Sequence, residues 1–168
     1  MEPTQDYWIQ QLALEPHPEG GYFKQVLCAE QQLLTDNQVK RPYYTSIYFL
    51  LTAENPSHFH RLSSDEVWYY HAGAALTIHL LYPNGQYETI VLGTQLDKGQ
   101  VLQAVVPKQV IFGSTVEYPG TFAVVSCMVS PGFDYEDFQL FTKQELVSHY
   151  PQHQFIIDQL AYEELPAH

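Results

Sequence analysis

Cysteine is scarce in this chain of 168 residues: there are two, Cys28 and Cys127, far apart. A disulfide framework is excluded, and a reduced, cytoplasmic setting is expected. Basic residues are also few, 7 Lys and Arg against 19 Asp and Glu, for a formal net charge of -12. So acidic a surface repels phosphate backbones and anionic lipid, which argues against nucleic acid and membrane surfaces as partners. No apolar run approaches the length of a bilayer span. Residues 1–11 show no basic stretch leading into an apolar one, so no secretion signal is expected. A Gly-rich phosphate cradle is missing too, which leaves nucleotide hydrolysis without support. Charged residues make up only 15% and apolar residues 45%, a balance that excludes wholesale disorder. With no repeat, low-complexity tract or linker, the expected organisation is one domain over residues 1–168.

What is plentiful is aromatic: 13 Tyr, 9 Phe and 2 Trp, accompanied by 11 Pro and 9 Gly along the chain. This composition favours strands and turns. Runs with strand character fall at 22–29, 43–52, 57–62, 66–71, 75–82, 86–92, 101–106, 110–116 and 121–129. Turn residues separate them, most clearly Pro83-Asn84-Gly85, where Pro presets one turn position and Asn-Gly tolerates positive φ. About nine short strands at such intervals predict a mainly β sandwich or barrel, over residues 20–140. Thr4 can cap a short N-terminal helix reaching about Ala13, with Trp8, Ile9 and Leu12 on one face. A helical tail is predicted over 142–162, where Thr142 and Glu145 form a capping box and Pro151 suits a first helical position.

The sharpest constellation is Ser57-His58-Phe59-His60, followed by Asp65-Glu66 and Gly73. Residues i and i+2 of a strand share a face, so His58 and His60 should point the same way. With the Glu66 carboxylate from the next strand they can converge on one divalent transition metal and leave open positions for a substrate. Trp68 and Tyr70 would share the inward face with Glu66 and form an aromatic wall. The competing reading is a polar core patch whose histidines simply hydrogen-bond within the protein.

The run HFHRLSSDEVWYYHAG resembles the first cupin motif, its parts falling on His58, His60, Glu66 and Gly73. Where the second motif would place Pro-x-Gly and a histidine ligand, this chain has Pro107, Gln109 and Phe112. The resemblance therefore supplies at most a three-ligand metal site, His58, His60 and Glu66. The segments LEPHPEGGYF, TSIYFLLT, SHFHRLSSDEVWYYHAG, VVPKQVIFGS and VVSCMVSPGFDYEDFQL together resemble one RmlC-like cupin family of unknown function, over about residues 7–141. That likeness implies a jelly-roll β-barrel, a homodimer and a small-molecule pocket in the barrel mouth. It implies no particular reaction, because fold does not settle function.

On this reading a small polar molecule, sugar-like or nucleotide-like, is held by Ser46, Tyr48, Trp68, Tyr70 and Phe112 together with His58, His60 and Glu66. Three functions compete: a metal-assisted enzyme, a metal-free epimerase or isomerase, and a binding or sensory module without catalysis. His79 could be the general base of the second, although a lone strand histidine is more often structural. His17-Pro18-Glu19-Gly20-Gly21-Tyr22 reads first as a turn into the first strand, and alternatively as a flap supplying Glu19 to a pocket. The stretch 131–138, PGFDYEDF, reads equally as a lid and as an ordered surface segment. Cys127, in an apolar strand, is expected to be an inert core thiol.

Overall fold

The computed structural model describes residues 1–167; residue 168, the end of the expected domain, lies outside the described residues. Thr4 caps helix α1 (Gln5–Gln11) through its side chain, as the sequence predicts. The strands are β1 (Glu15–Pro16), β2 (Tyr22–Cys28), β3 (Gln32–Leu34), β4 (Lys40–Pro42), β5 (Thr45–Thr52), β6 (Ser57–Arg61), β7 (Asp65–Gly73), β8 (Leu76–Leu81), β9 (Tyr87–Leu92), β10 (Gln103–Val106), β11 (Ile111–Val116), β12 (Phe122–Ser130) and β13 (Gln139–Leu140). Helices α2 (Lys143–His149) and α3 (Gln154–Leu160) follow. Thr142 and Glu145 close the predicted capping box, and Pro151 opens a short 3-10 turn ahead of α3.

The strands form a jelly-roll-like pair of antiparallel sheets that do not close into a continuous barrel. One has the order β1-β2-β5-β12-β7-β10 and the other β13-β6-β11-β8-β9, while β3 and β4 form a separate ribbon. The predicted Pro83-Asn84-Gly85 turn joins β8 to β9, with Gly85 at φ 89°. β1, β3, β4 and β13 escape the sequence pattern because two or three residues are too few to show alternation.

Three apolar clusters hold these layers together. Phe49, Leu51, Trp68, Ile78, Leu80, Phe112, Val125 and Cys127 fill the space between the sheets. On the outer face of the first sheet, Leu50 and Val124 pack beneath Trp8 and Ile9 of the N-terminal helix and Leu12 just after it. On the outer face of the second, Phe59, Leu81 and Ile111 pack beneath Leu146, Ile156, Ile157 and Leu160 of the tail. Helices on both outer faces explain why the central strands read as continuous apolar runs. No helix among the described residues is long and apolar enough to cross a membrane.

Candidate functional site

A cavity of about 90 Å³ opens between the sheets. Its polar lining comes from His17, Glu19, Gln25, Thr45, His60, Glu66 and Cys127, and its aromatic lining from Phe23, Phe133, Tyr135 and Phe138. Two local irregularities bring the polar groups together.

The first is a β-bulge in β6. Ser57 pairs with Ser114 and His60 with Phe112, so His58 and Phe59 together stand opposite Gly113. A Cβ on Gly113 would lie 2.8 Å from the Ser57 carbonyl oxygen, which is why a glycine suits this position. The extra residue breaks the two-residue period. Ser57 and His60 both turn inward, Phe59 turns out under the tail helices, and His58 does not line the cavity. The expectation that His58 and His60 share a face is therefore corrected. His58 Nδ1 donates to the Glu19 carbonyl (2.8 Å), and its ring stacks on Tyr162 with centroids 3.8 Å apart.

The second irregularity is the turn before β2. Gly20 and Gly21 take φ values of 109° and 75°, and a Cβ on Gly20 would come within 1.9 Å of the Pro56 carbonyl oxygen. Only glycine passes so close, and in passing it swings Glu19 into the interior, where 5% of it remains exposed. Both sequence readings of this segment thus hold at once: it is a turn, and it delivers Glu19.

Glu19 Oε2 accepts hydrogen bonds from Ser57 Oγ (2.6 Å) and His60 Nε2 (2.8 Å). His60 Nδ1 lies 2.7 Å from the His58 carbonyl oxygen. Both ring nitrogens of His60 face acceptors, so the ring is an imidazolium paired with an ionised Glu19. Burial alone would lower the His60 pKa, but the charge and hydrogen bond of Glu19 outweigh it and raise it. Burial would likewise raise the Glu19 pKa; the His60 charge reverses this and holds it at about 2. His17 stays neutral: burial lowers its pKa, and its Nδ1 accepts the Glu19 backbone N–H at 3.1 Å.

Glu66 differs from Glu19 in kind. It is 6% exposed, and its Oε2 has no hydrogen-bond partner among the described residues. Burial, reinforced by the Glu19 charge, pushes its pKa up to about 8. At neutral pH the cavity therefore holds one ionised carboxylate, matched by an imidazolium, and one neutral carboxylic acid. Two acids driven apart by their surroundings form the pattern that assigns separate roles to each.

The remaining predicted residues lie elsewhere. Ser46 and Tyr48 occupy the outer face of β5, Tyr48 packing with Leu50 beneath the N-terminal helix, while Thr45 and Ile47 line the cavity. Trp68 and Phe112 do face inward, but in the packed core below the cavity, with ring centroids 6.2 Å apart. Tyr70 donates its hydroxyl proton to the Gly73 carbonyl. His79 bonds Tyr87 (2.6 Å) and Thr115 (2.8 Å) through its two ring nitrogens, outside this cavity, and burial lowers its pKa to about 4. Cys127 sits in the strand as an apolar thiol, yet it also lines the cavity.

A metal does not fit this donor set. His58 is turned away, Glu19 occupies His60 Nε2, and Phe112 stands beside His60 (centroids 4.2 Å apart) where the cupin pattern would put a further ligand. Among the described residues no group of three or more His, Cys, Asp or Glu side chains is arranged to hold an ion.

Comparison with known proteins agrees with this fold. Residues 6–141 match the family described as Cupin superfamily (DUF985). An uncharacterized protein, YML079W of Saccharomyces cerevisiae, is 30% identical over 148 residues, 79% of this chain and 73% of that one. A hypothetical protein from Leishmania major superposes with a TM-score of 0.90 at 42% identity, over 96% of this chain and 100% of that one. Protein SO0799 from Shewanella oneidensis gives the same TM-score and identity, over 97% and 100% of the two chains. The chain belongs to this cupin family.

Proposed function

We propose, with that membership as the premise, that the protein binds a small polar organic molecule between its sheets without a metal. Glu66, in its neutral acid form, is the group that recognises it. The observation that carries this reading is Glu66 itself: it lines the cavity, and its buried Oε2 lacks a partner among the described residues. A buried polar group left unpaired costs roughly 1–3 kcal/mol, which a bound molecule with a matching polar group recovers.

Size and charge narrow the ligand. About 90 Å³ is small beside the roughly 300–1,000 Å³ of typical ligand pockets, so a compact molecule fits better than a whole sugar nucleotide. The His60–Glu19 pair is internally neutral, so an anion would meet the Glu19 carboxylate with no spare positive charge from His60. A neutral molecule with a carbonyl or hydroxyl oxygen toward Glu66 and an apolar body against Phe23, Phe133 and Phe138 matches the lining.

Proton transfer is the second reading, favoured by the position of the Glu66 pKa near working pH. A carboxyl at about 8 can give and retake a proton beside a bound carbonyl, the chemistry of a metal-free isomerase or epimerase.

Thermal unfolding in the presence of small neutral carbonyl compounds and polyols tests the first reading. A ligand should raise the melting temperature of the wild type by mass action and fail to do so in Glu66→Leu. An equal rise in that variant, or no rise with any compound, contradicts it. Exchange of solvent deuterium into the identified ligand separates catalysis from binding alone.

A further inference from the structure

Arg41 is one of 7 basic residues in an acidic chain, yet only 7% of it is exposed. It lies on β4, outside the cavity. Its Nε donates to Asp137 Oδ2 (2.8 Å), and its Nη2 donates to Asp137 Oδ1 (3.2 Å) and Glu136 Oε2 (3.1 Å). Asp134 Oδ2 stands 3.9 Å from Nη1, which also donates to the Lys40 carbonyl at 2.9 Å. A guanidinium gripping one carboxylate with two bonds, beside a second, is geometrically specific in a way a loose surface pair is not.

All three acids lie on the segment that roofs the cavity. Its tether on one side is Gly132 N–H to the Pro42 carbonyl and Phe133 N–H to Thr45 Oγ1; on the other side, β13 pairs with β6. Between these points, the backbone bonds of residues 134–138 run only within the segment, Asp137 to Asp134 and Phe138 to Tyr135, among the described residues. Tyr135 and Phe138 nonetheless line the cavity, ring against ring with centroids 5.9 Å apart, and Tyr135 keeps 52% of its surface exposed. The roof is thus joined to the body mainly through apolar contacts and one buried cation.

We propose that Arg41 is a positioning residue of the pocket: by clamping Asp137, Glu136 and Asp134 it holds Tyr135 and Phe138 over the cavity, and release of this clamp opens the way in for a small molecule. The cavity reading gives the clamp its purpose, but its test needs no ligand. Cys127 lines the cavity and is 1% exposed, whereas Cys28, the second cysteine, is exposed. In a Cys28→Ser background, Cys127 is the one thiol left to report access.

The probe is methyl methanethiosulfonate at fixed pH. The Cys127 thiolate attacks its sulfenyl sulfur, forms a methyl disulfide and releases methanesulfinate. Arg41→Gln should raise the modification rate about tenfold or more, as expected when a local opening becomes easier by over 1.4 kcal/mol. Asp137→Asn should raise it too, and the double variant should exceed Arg41→Gln little, because Arg41→Gln already removes the Arg41–Asp137 interaction. If Arg41→Gln fails to fold, Asp137→Asn, which leaves Arg41 paired with Glu136, carries the test. A His79→Ala control, destabilised away from the roof, should leave the rate within about twofold of the parent at a temperature where all variants are folded. An unchanged rate in the clamp variants, or an equal rise in the control, overturns the proposal. A failure of ligand binding would leave these rates untouched.

Discussion

His60 Nε2 lies 2.8 Å from Glu19 Oε2, inside a protein whose two partner side chains are almost wholly buried. The His60 Nδ1 contact with the His58 carbonyl fixes the second ring proton, so the pair is ionic. Removing one member strands the other charge. Glu19→Gln should cost about 3–5 kcal/mol in urea unfolding at neutral pH. Adding His60→Gln should cost less than the sum of the two singles, because the stranded charge is then gone. Additive costs would show that the two side chains are not coupled.

Glu66 gives the stability curve its slope in the neutral range. Its pKa rises from 4.5 to about 8 on folding, so between those values the folded state holds a proton that the unfolded chain has released. Its contribution is complete below the unfolded pKa and is lost as pH rises toward 8, by roughly 1.4 kcal/mol per unit while the shift is fully expressed. Glu66→Gln removes that loss, so the variant should gain on the wild type from about pH 5 to about pH 8. Urea titrations across this range check it, and parallel curves would count against a protonated Glu66.

Metal binding should not depend on the histidine pair in the motif. Equilibrium dialysis with Mn²⁺, Fe²⁺ and Zn²⁺ should give the same uptake for wild type and His58→Ala, because His58 faces Tyr162 and the Glu19 carbonyl. Phe112→His should not create a tight site either. Uptake lost in His58→Ala would mean that the His58 ring turns inward.

Gly20→Ala tests the turn. Its φ of 109° and the 1.9 Å approach of a Cβ to the Pro56 carbonyl oxygen leave no room for a side chain. A loss of at least about 1–3 kcal/mol is expected. A stability equal to the wild type would show that the turn is not tightly packed.

Much of the architecture is legible in the sequence because periodicity and punctuation report local physics. The capping box of Thr142 and Glu145, the Asn84-Gly85 hairpin and the main strands follow from residue patterns a few positions long. The site is harder to read. Period-two reasoning sends His58 and His60 the same way, but the bulge opposite Gly113 is a property of the paired strand and leaves no mark within Ser57-His58-Phe59-His60. The face of β5 that carries Ser46 and Tyr48 is equally ambiguous, since a helix covers the side away from the cavity. Glu19 and the aromatics of 131–138 had a readable signal: an acid before two glycines, and acids interleaved with aromatic rings. The clamp on Arg41, some 95 residues from Glu136, has no local signature.

The most direct test is a ¹³C NMR titration of the glutamate side-chain carboxyls, with the Glu66 resonance assigned by its loss in Glu66→Gln. A midpoint near pH 8, with Glu19 still ionised down to about pH 2, is the predicted result. A Glu66 midpoint in the ordinary range near 4.5 would mean a carboxylate at neutral pH, and the neutral acid on which ligand recognition rests would not exist.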